Sequence, residues 1–333
     1  MRERLHRQGI KPNAQNINLN SFRPGTRMQC KTYLQKWHAY AVQHNKDPFR
    51  PHVSDILDFL TFLFEGGLGY SGMTTARAAL SSAIELADSP CTVSSHPLVN
   101  RFHKGVFNAR PSLPRYNSTW DVSIVLNYLN SLPDNDSISL KLLTMKTNML
   151  CLLVTGWRGQ TLSKLNLTDM EITDNSFKFF INSLIKQSRP GKHQPVVELK
   201  AFTTNPAICV VRCMQAYLER TEVLRNNTTQ LFISYNKPHK PVTIATISRW
   251  ARGTMSAAGI NTQLFKPHST RAASSSAAFK SATPLSTILM TAGWSSDCTF
   301  AKYYKKEIVK PNDYGHNVLS CVTSVDLDVD NVC

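Results

Sequence analysis

The hydrophobic period of this chain changes only briefly. From Thr26 onward the apolar residues recur every three or four positions, and the spacing drops to two only over Phe177–Ile185, Pro195–Leu199 and the short run Gln230–Ser234. A chain patterned in this way is expected to fold as mainly α with a small β-sheet, an α+β arrangement whose core comes chiefly from helices. Leu34, Trp37 and Ala41 open the helical series, and Ile56, Leu57, Leu60, Leu63 and Phe64 make an amphipathic helix closed by Gly66-Gly67. Further helices are expected over about 74–87 and 96–108. The Gly66-Gly67-Leu68-Gly69 cluster follows a helix and lacks the lysine of a phosphate loop, so it reads as a C-cap and turn.

Punctuation divides the chain. Pro12 and Pro24, without periodicity around them, suggest a flexible basic arm over 1–25, followed by a helical domain over 26–108. Residues 109–120, with Pro111 and Pro114, read as a linker to a second domain over 121–310, and 311–333 as a tail carrying Asp326, Asp328 and Asp330. Lys31, Lys36, Arg77, Arg101, His103, Lys104 and Arg110 are expected on the exposed face of the first domain, which suits either contact with a DNA backbone or plain packing. In the second domain Asp121 and Thr243 are candidate N-caps, and a strongly apolar helix over 139–154 ends at Thr155-Gly156. The two strands are joined by the cation-rich turn Lys186-Gln-Ser-Arg-Pro-Gly-Lys192-His193, and a helix follows from about Ile208 to Arg220.

Charge narrows the partner. With 38 Lys and Arg against 22 Asp and Glu the formal net charge is +16, spread along the chain, which favours a polyanion and above all nucleic acid. The eight cysteines include no C-x-x-C, which argues against zinc. Cys209 and Cys213 sit in an apolar helical stretch and read as packing. Without a signal peptide or an apolar run of membrane length, a soluble protein of a reducing intracellular compartment is expected.

His268-Ser-Thr-Arg271 places a histidine and an arginine on one helix face, and Ala292-Gly-Trp294 through Tyr303-Tyr304-Lys-Lys follows it. A cation pair, an indole N–H and a phenol together suit an oxyanion such as phosphate. Taken singly, Arg158 after Thr155-Gly156 reads as a helix C-cap, His268 as structural and Trp294 as core. In the order Arg158, Lys186, His268, Arg271, Trp294, Tyr303/Tyr304 they resemble the tyrosine recombinases, the phage-integrase-like family. Thr155-Gly-Trp-Arg158 is similar to the family's first-arginine box, followed by a hairpin lysine, His-x-x-Arg, and a Gly-His/Trp box ahead of the tyrosine. The turn around Lys192, the His-Ser-Thr-Arg-Ala-Ala-Ser helix and Ala-Gly-Trp-Ser-Ser look most like recombinases of eukaryotic mobile elements, the DIRS-like and Ngaro-like retrotransposons and the cryptons.

That resemblance, which covers roughly residues 26–310, implies a helical, SAM-like core-binding domain and a DNA breaking-rejoining catalytic domain, closing as a clamp on double-stranded DNA. It implies a nuclear, site-specific recombinase or integrase that works through a 3′-phosphotyrosyl intermediate to integrate a mobile element. A homo-oligomer, a tetramer of protomers on two DNA sites, would exchange the strands, without cofactor, metal, membrane or small-molecule substrate. Arg158 and Arg271 would hold the non-bridging oxygens, and His268 would donate to the phosphate or take the tyrosine proton. Trp294 would offer its N–H, and Lys186, with Lys192 as the alternative, would protonate the leaving 5′ oxygen. Tyr304 would be the nucleophile, with Tyr303 as the alternative; they lie ten and nine residues beyond Trp294. Thr161 stands where many members carry an acid that orients the first arginine. A different reading is a catalytically silent DNA-binding or regulatory descendant of such an enzyme.

Overall fold

Prolines start the first helices. Pro12 and Pro24 occupy the opening turn of their helices, where a missing N–H costs nothing and φ is already set. Residues 1–25, expected to be a flexible arm, are therefore helical: α1 (Arg2–Arg7), α2 (Pro12–Asn20) and the start of α3 (Pro24–Gln43). They are also tied down. Arg4 Nε lies 3.1 Å from a Glu85 carboxylate oxygen, Gln8 Nε2 donates to the same oxygen at 2.7 Å, and the Arg7 guanidinium sits 4.4 Å over the Phe49 ring. The computed structural model describes residues 1–112, 118–294 and 297–309, without the side chains of residues 299, 302, 303 and 309. It divides into two units, Met1–Pro114 and Arg115–Cys333, each with its own core.

The first unit is completed by α4 (Val53–Glu65), α5 (Tyr70–Ala83) and α6 (Pro97–Ala109). Trp37, Phe59, Leu60, Met73, Leu80 and Val99 form its centre, each large side chain contributing about 1.5–3 kcal/mol by leaving water. Trp37 meets Phe59 edge-on at 5.3 Å while its indole N–H donates to the Pro48 carbonyl at 2.8 Å. His103, expected to be exposed, is buried instead. It falls between Val99 and Val106 on the apolar face of α6, lies 4.6 Å from the Tyr70 ring and bonds through Nε2 to Thr74 Oγ1 at 3.0 Å.

In the second unit β1 (Ser118–Trp120) leads into α7 (Val122–Asn130), where the Asp121 side chain accepts from the Ser123 N–H at 2.9 Å. The central helix is α8 (Leu140–Thr155), mostly buried, which ends in left-handed Gly156. A short α9 (Gly159–Leu162) is followed by the antiparallel sheet β2 (Met170–Thr173), β3 (Ser176–Phe180) and β4 (Val196–Lys200), in that order. Next come α10 (Val210–Thr221), α11 (Ile244–Ala257), α12 (Ser269–Lys280), α13 (Leu285–Ala292), α14 (Asp297–Tyr303) and β5 (Glu307–Val309). Helices α10, α11 and α12 all pack on α8. Thr243 caps α11 by accepting from the Thr246 N–H at 3.4 Å. Cys209 and Cys213 are buried in the core.

Three sequence expectations change here. The stretch 109–120 is not all linker, because α6 runs through Ala109 and Ser118–Trp120 pairs in parallel with Glu307–Val309. The segment Gln230–Ser234 makes only the isolated bridges Asn166↔Gln230 and Ile233↔Pro241; Leu231, Phe232 and Ile233 are all buried and so cannot alternate faces as in a half-exposed strand. The first strand of the hairpin stops at Phe180, which leaves residues 181–195 as a loop before β4. Residues 113–117 and the tail 311–333 lie outside the described residues.

Burial, then the nearby charge of Arg77, holds the His103 pKa below its ordinary value. The unfolded chain thus takes up the proton first, so the stability from neutral His103 is complete above about pH 6.5 and is lost as pH falls below it. His103→Gln keeps an N–H donor without titrating. Between about pH 7 and pH 5 the melting temperature of the wild type is expected to fall more steeply than that of the variant; parallel curves would contradict this.

Candidate active site

Arg271 lies in the first turn of α12, a helix rich in alanine and serine whose small side chains let it bury most of its face. Its start is pinned by the Trp120 indole, which donates to Ser269 Oγ at 2.9 Å. Arg271 is only 1% exposed. One guanidinium nitrogen, Nη2, donates to the Ala292 carbonyl at 2.7 Å, while buried Nε and Nη1 have no partner among the described residues. The guanidinium lies 4.5 Å from the Trp294 ring and 5.2 Å from the Tyr304 ring, and these two rings stack at 4.5 Å. The buried Trp294 Nε1–H is unpartnered among the described residues.

Tyr304 is held from behind. Ser276 Oγ on α12 donates to the Tyr304 carbonyl at 2.7 Å and accepts from the Lys306 N–H at 3.1 Å. The phenol is thereby placed 3.4 Å from His268 Nε2, the residue that caps α12. The side chain of Tyr303 is outside those described.

Arg158 arrives from the other side. Thr155 Oγ1 accepts from the Trp157 N–H at 3.2 Å, and Gly156, at φ +59°, turns the chain sharply after α8. A Cβ on Gly156 would lie 3.4 Å from Ala292 Cβ, so the turn sits directly against the end of α13. Trp157 Nε1–H donates to the Thr291 carbonyl. Arg158 borders two hollows, one of about 210 Å³ shared with His268 and Arg271 and one of about 370 Å³ shared with Lys186, Lys192 and Trp294. In the 181–195 loop Gln187 Nε2 donates to the Gly293 carbonyl at 3.0 Å. Three successive carbonyls at the C-terminus of α13 thus receive donors from three distant segments. Thr161 is buried in α9.

Electrostatics report how closely the cations crowd. Partial burial first, then the charges of Arg271, Arg158 and Lys186, hold the His268 pKa below the usual imidazole value. Burial, then Arg158, pushes the Arg271 pKa down to about 9, with Tyr304 acting in the opposite sense. The guanidinium keeps its proton at neutral pH; the shift expresses a buried charge that no carboxylate among the described residues neutralises. Among the described residues no carboxylate pairs with Arg158, Lys186 or Arg271, no cluster of ligands suits a metal, and no helix is long and apolar enough to cross a membrane.

Fixed cations, a buried N–H donor and a phenol beside an imidazole now stand together in one unit, and the profile of the phage integrase family matches residues 122–308. The chain belongs to that family, the tyrosine recombinases. Its fold is similar to that of XerH site-specific recombinase in a post-cleavage complex with palindromic difH substrate, at a TM-score of 0.53 and 15% identity over 82% of this chain and 72% of that one. The pre-cleavage complex of XerH with difH gives 0.52 and 14% over 82% and 70%. At such identity the likeness is one of fold. No curated protein matches the chain significantly. Sequence reading had singled out Arg158, Lys186, His268, Arg271, Trp294 and Tyr304 but not Trp157, Gln187 or Ser276. Trp157 and Gln187 lie within stretches the sequence marks, but the part each of the three plays is not legible locally, because each acts through a carbonyl or N–H supplied by a remote segment.

If the neighbouring cations depress His268, removing one must raise it. Arg158→Gln is expected to move the His268 titration, followed by NMR of the imidazole, upward toward the ordinary value near 6.5. An unchanged or lower midpoint would show that Arg158 does not face the imidazole.

Proposed function

We propose that this chain is a site-specific DNA recombinase that cleaves and rejoins strands through a 3′-phosphotyrosyl intermediate on Tyr304. The reading rests on a single observation: the Tyr304 hydroxyl lies against His268 beside a buried arginine, two of whose donor nitrogens have no partner among the described residues. Attack on a phosphodiester builds negative charge on the two non-bridging oxygens, and fixed donors stabilise it where water is excluded. Arg158 and Arg271 take those oxygens with their planar forks, and Trp294 Nε1–H supplies a further donor. The Tyr304 oxygen forms the new bond to phosphorus as its proton passes to His268, whose neutral form burial and then the surrounding charges favour. The bond to the 5′ oxygen breaks, and that oxygen keeps the electron pair and takes a proton from Lys186. Lys186 is preferred to Lys192 because its charge is among those that depress His268.

XerH is described in complex with its difH DNA before and after cleavage, which supports DNA as the partner here. So does the excess of positive charge. Exchange between two duplexes cuts four strands, one tyrosine each, hence a tetramer of protomers. Integration of a eukaryotic mobile element of the DIRS-like, Ngaro-like or crypton kind, in the nucleus, is the biological role we assign. The silent DNA-binding descendant is disfavoured because Arg271 is buried without a counter-charge among the described residues, at a cost to folding that no binding surface requires.

Tyr304→Phe is expected to abolish covalent trapping on nicked duplex DNA while leaving DNA affinity within about two-fold, or about 0.4 kcal/mol. Tyr303→Phe is expected to trap as the wild type does. Trapping that survives Tyr304→Phe and disappears in Tyr303→Phe would reverse the assignment, and salt-sensitive binding with no adduct from any DNA would favour the silent descendant.

A further inference from the structure

We propose that Gln187 is a positioning residue that sets Lys186 in place by fastening its loop to the turn ahead of Trp294. This rests on the reading of Lys186 as general acid. Lys186 is an exposed, long side chain on a loop without regular structure, a poor way to hold an acid at one oxygen. Both of its neighbours are anchored. Ile185 is fully buried, and its N–H donates to Ser188 Oγ at 2.9 Å. Ser188 Oγ in turn donates to Gln194 Oε1 at 2.9 Å, which closes the loop on itself. On the other side Gln187 Nε2 donates at 3.0 Å to the carbonyl of Gly293, the residue that ends α13.

Chemistry fixes the orientation of that amide. The partner is a carbonyl oxygen, so the NH₂ end must face it. Gly293 makes the approach possible. It is left-handed at φ +64°, and a Cβ there would lie 2.5 Å from Gln187 Nε2. Gly293 immediately precedes Trp294 and immediately follows Ala292, whose carbonyl anchors Arg271. The bond thus ties the residue after the leaving-group acid to the same turn that positions the phosphate-holding arginine. The distance between acid and phosphate becomes a property of the fold and not of a free loop.

The test needs a substrate whose leaving group dispenses with an acid. Nicked duplexes with a randomised core would first be selected by covalent capture with the full-length wild type. The captured sequence would then be remade with sulfur in place of the 5′-bridging oxygen, because a thiol, with a pKa of about 8.5, leaves as the anion. Gln187→Met keeps the length and bulk and loses the donor. It is expected to slow single-turnover cleavage of the oxygen substrate about ten-fold, part of what a general acid contributes, with DNA affinity unchanged. On the sulfur substrate it should return to within about two-fold of wild type, and Lys186→Ala should follow the same pattern with a larger defect. Cleavage of the oxygen duplex by Gln187→Met at the wild-type rate would overturn the proposal, as would a defect that persists on sulfur while Lys186→Ala is rescued. A Lys186→Ala defect that sulfur does not rescue would remove the premise. No capture by the wild type would overturn the reading of the site itself, and this proposal with it.

Discussion

An α-helix leaves its last carbonyls without intrahelical partners and carries the negative end of its dipole there. At the C-terminus of α13 those carbonyls, Thr291, Ala292 and Gly293, are taken by the Trp157 indole, the Arg271 guanidinium and the Gln187 amide. The three donors stand beside, or are, the residues that carry charge: Arg158, Arg271 and Lys186. Segments separated by more than a hundred positions are thus registered against one turn of one helix. Left-handed Gly293 lets the third carbonyl be reached, and left-handed Gly156 brings the Arg158 segment flush against Ala292. The alanine- and serine-rich face of α12, packed on α8, holds Arg271 under that turn.

The arrangement costs stability before it yields chemistry. A guanidinium taken out of water without a carboxylate partner is unfavourable, and two of its donors are left unpartnered among the described residues. The rings of Trp294 and Tyr304 offset part of that cost by offering π faces to the charge. An anionic diester would supply the rest. Burial, and then the same crowding, favours neutral His268, the form able to accept a phenolic proton. Structure and mechanism therefore share one cause, a cluster of positive charge assembled in advance of its counter-charge.

Much of this was written in local sequence. The helical period marked the helices, Asp121 and Thr243 announced their caps, and the ordered spacing of Arg158, His268-x-x-Arg271 and Trp294 pointed to the candidate site, because those residues follow helix ends or share a helix face. Long-range pairing left no such trace. Ser118–Trp120 becomes a strand only because Glu307–Val309 lies beside it. Gln187 matters only because a distant glycine presents a carbonyl. Pro12 and Pro24 mislead for another reason: the same fixed φ that breaks a helix interior starts a helix well. His103 shows that spacing outweighs polarity, since its place between Val99 and Val106 buries it despite its polar ring.

If the fold gathers its cations ahead of DNA, the full-length chain must bind a phosphorane mimic without any duplex present. Calorimetric titration with orthovanadate is expected to show one saturable site, weakened about ten-fold, or about 1.4 kcal/mol, by Arg158→Gln and likewise by Arg271→Lys. Absence of saturable binding, or binding indifferent to both substitutions, would contradict a preassembled anion site.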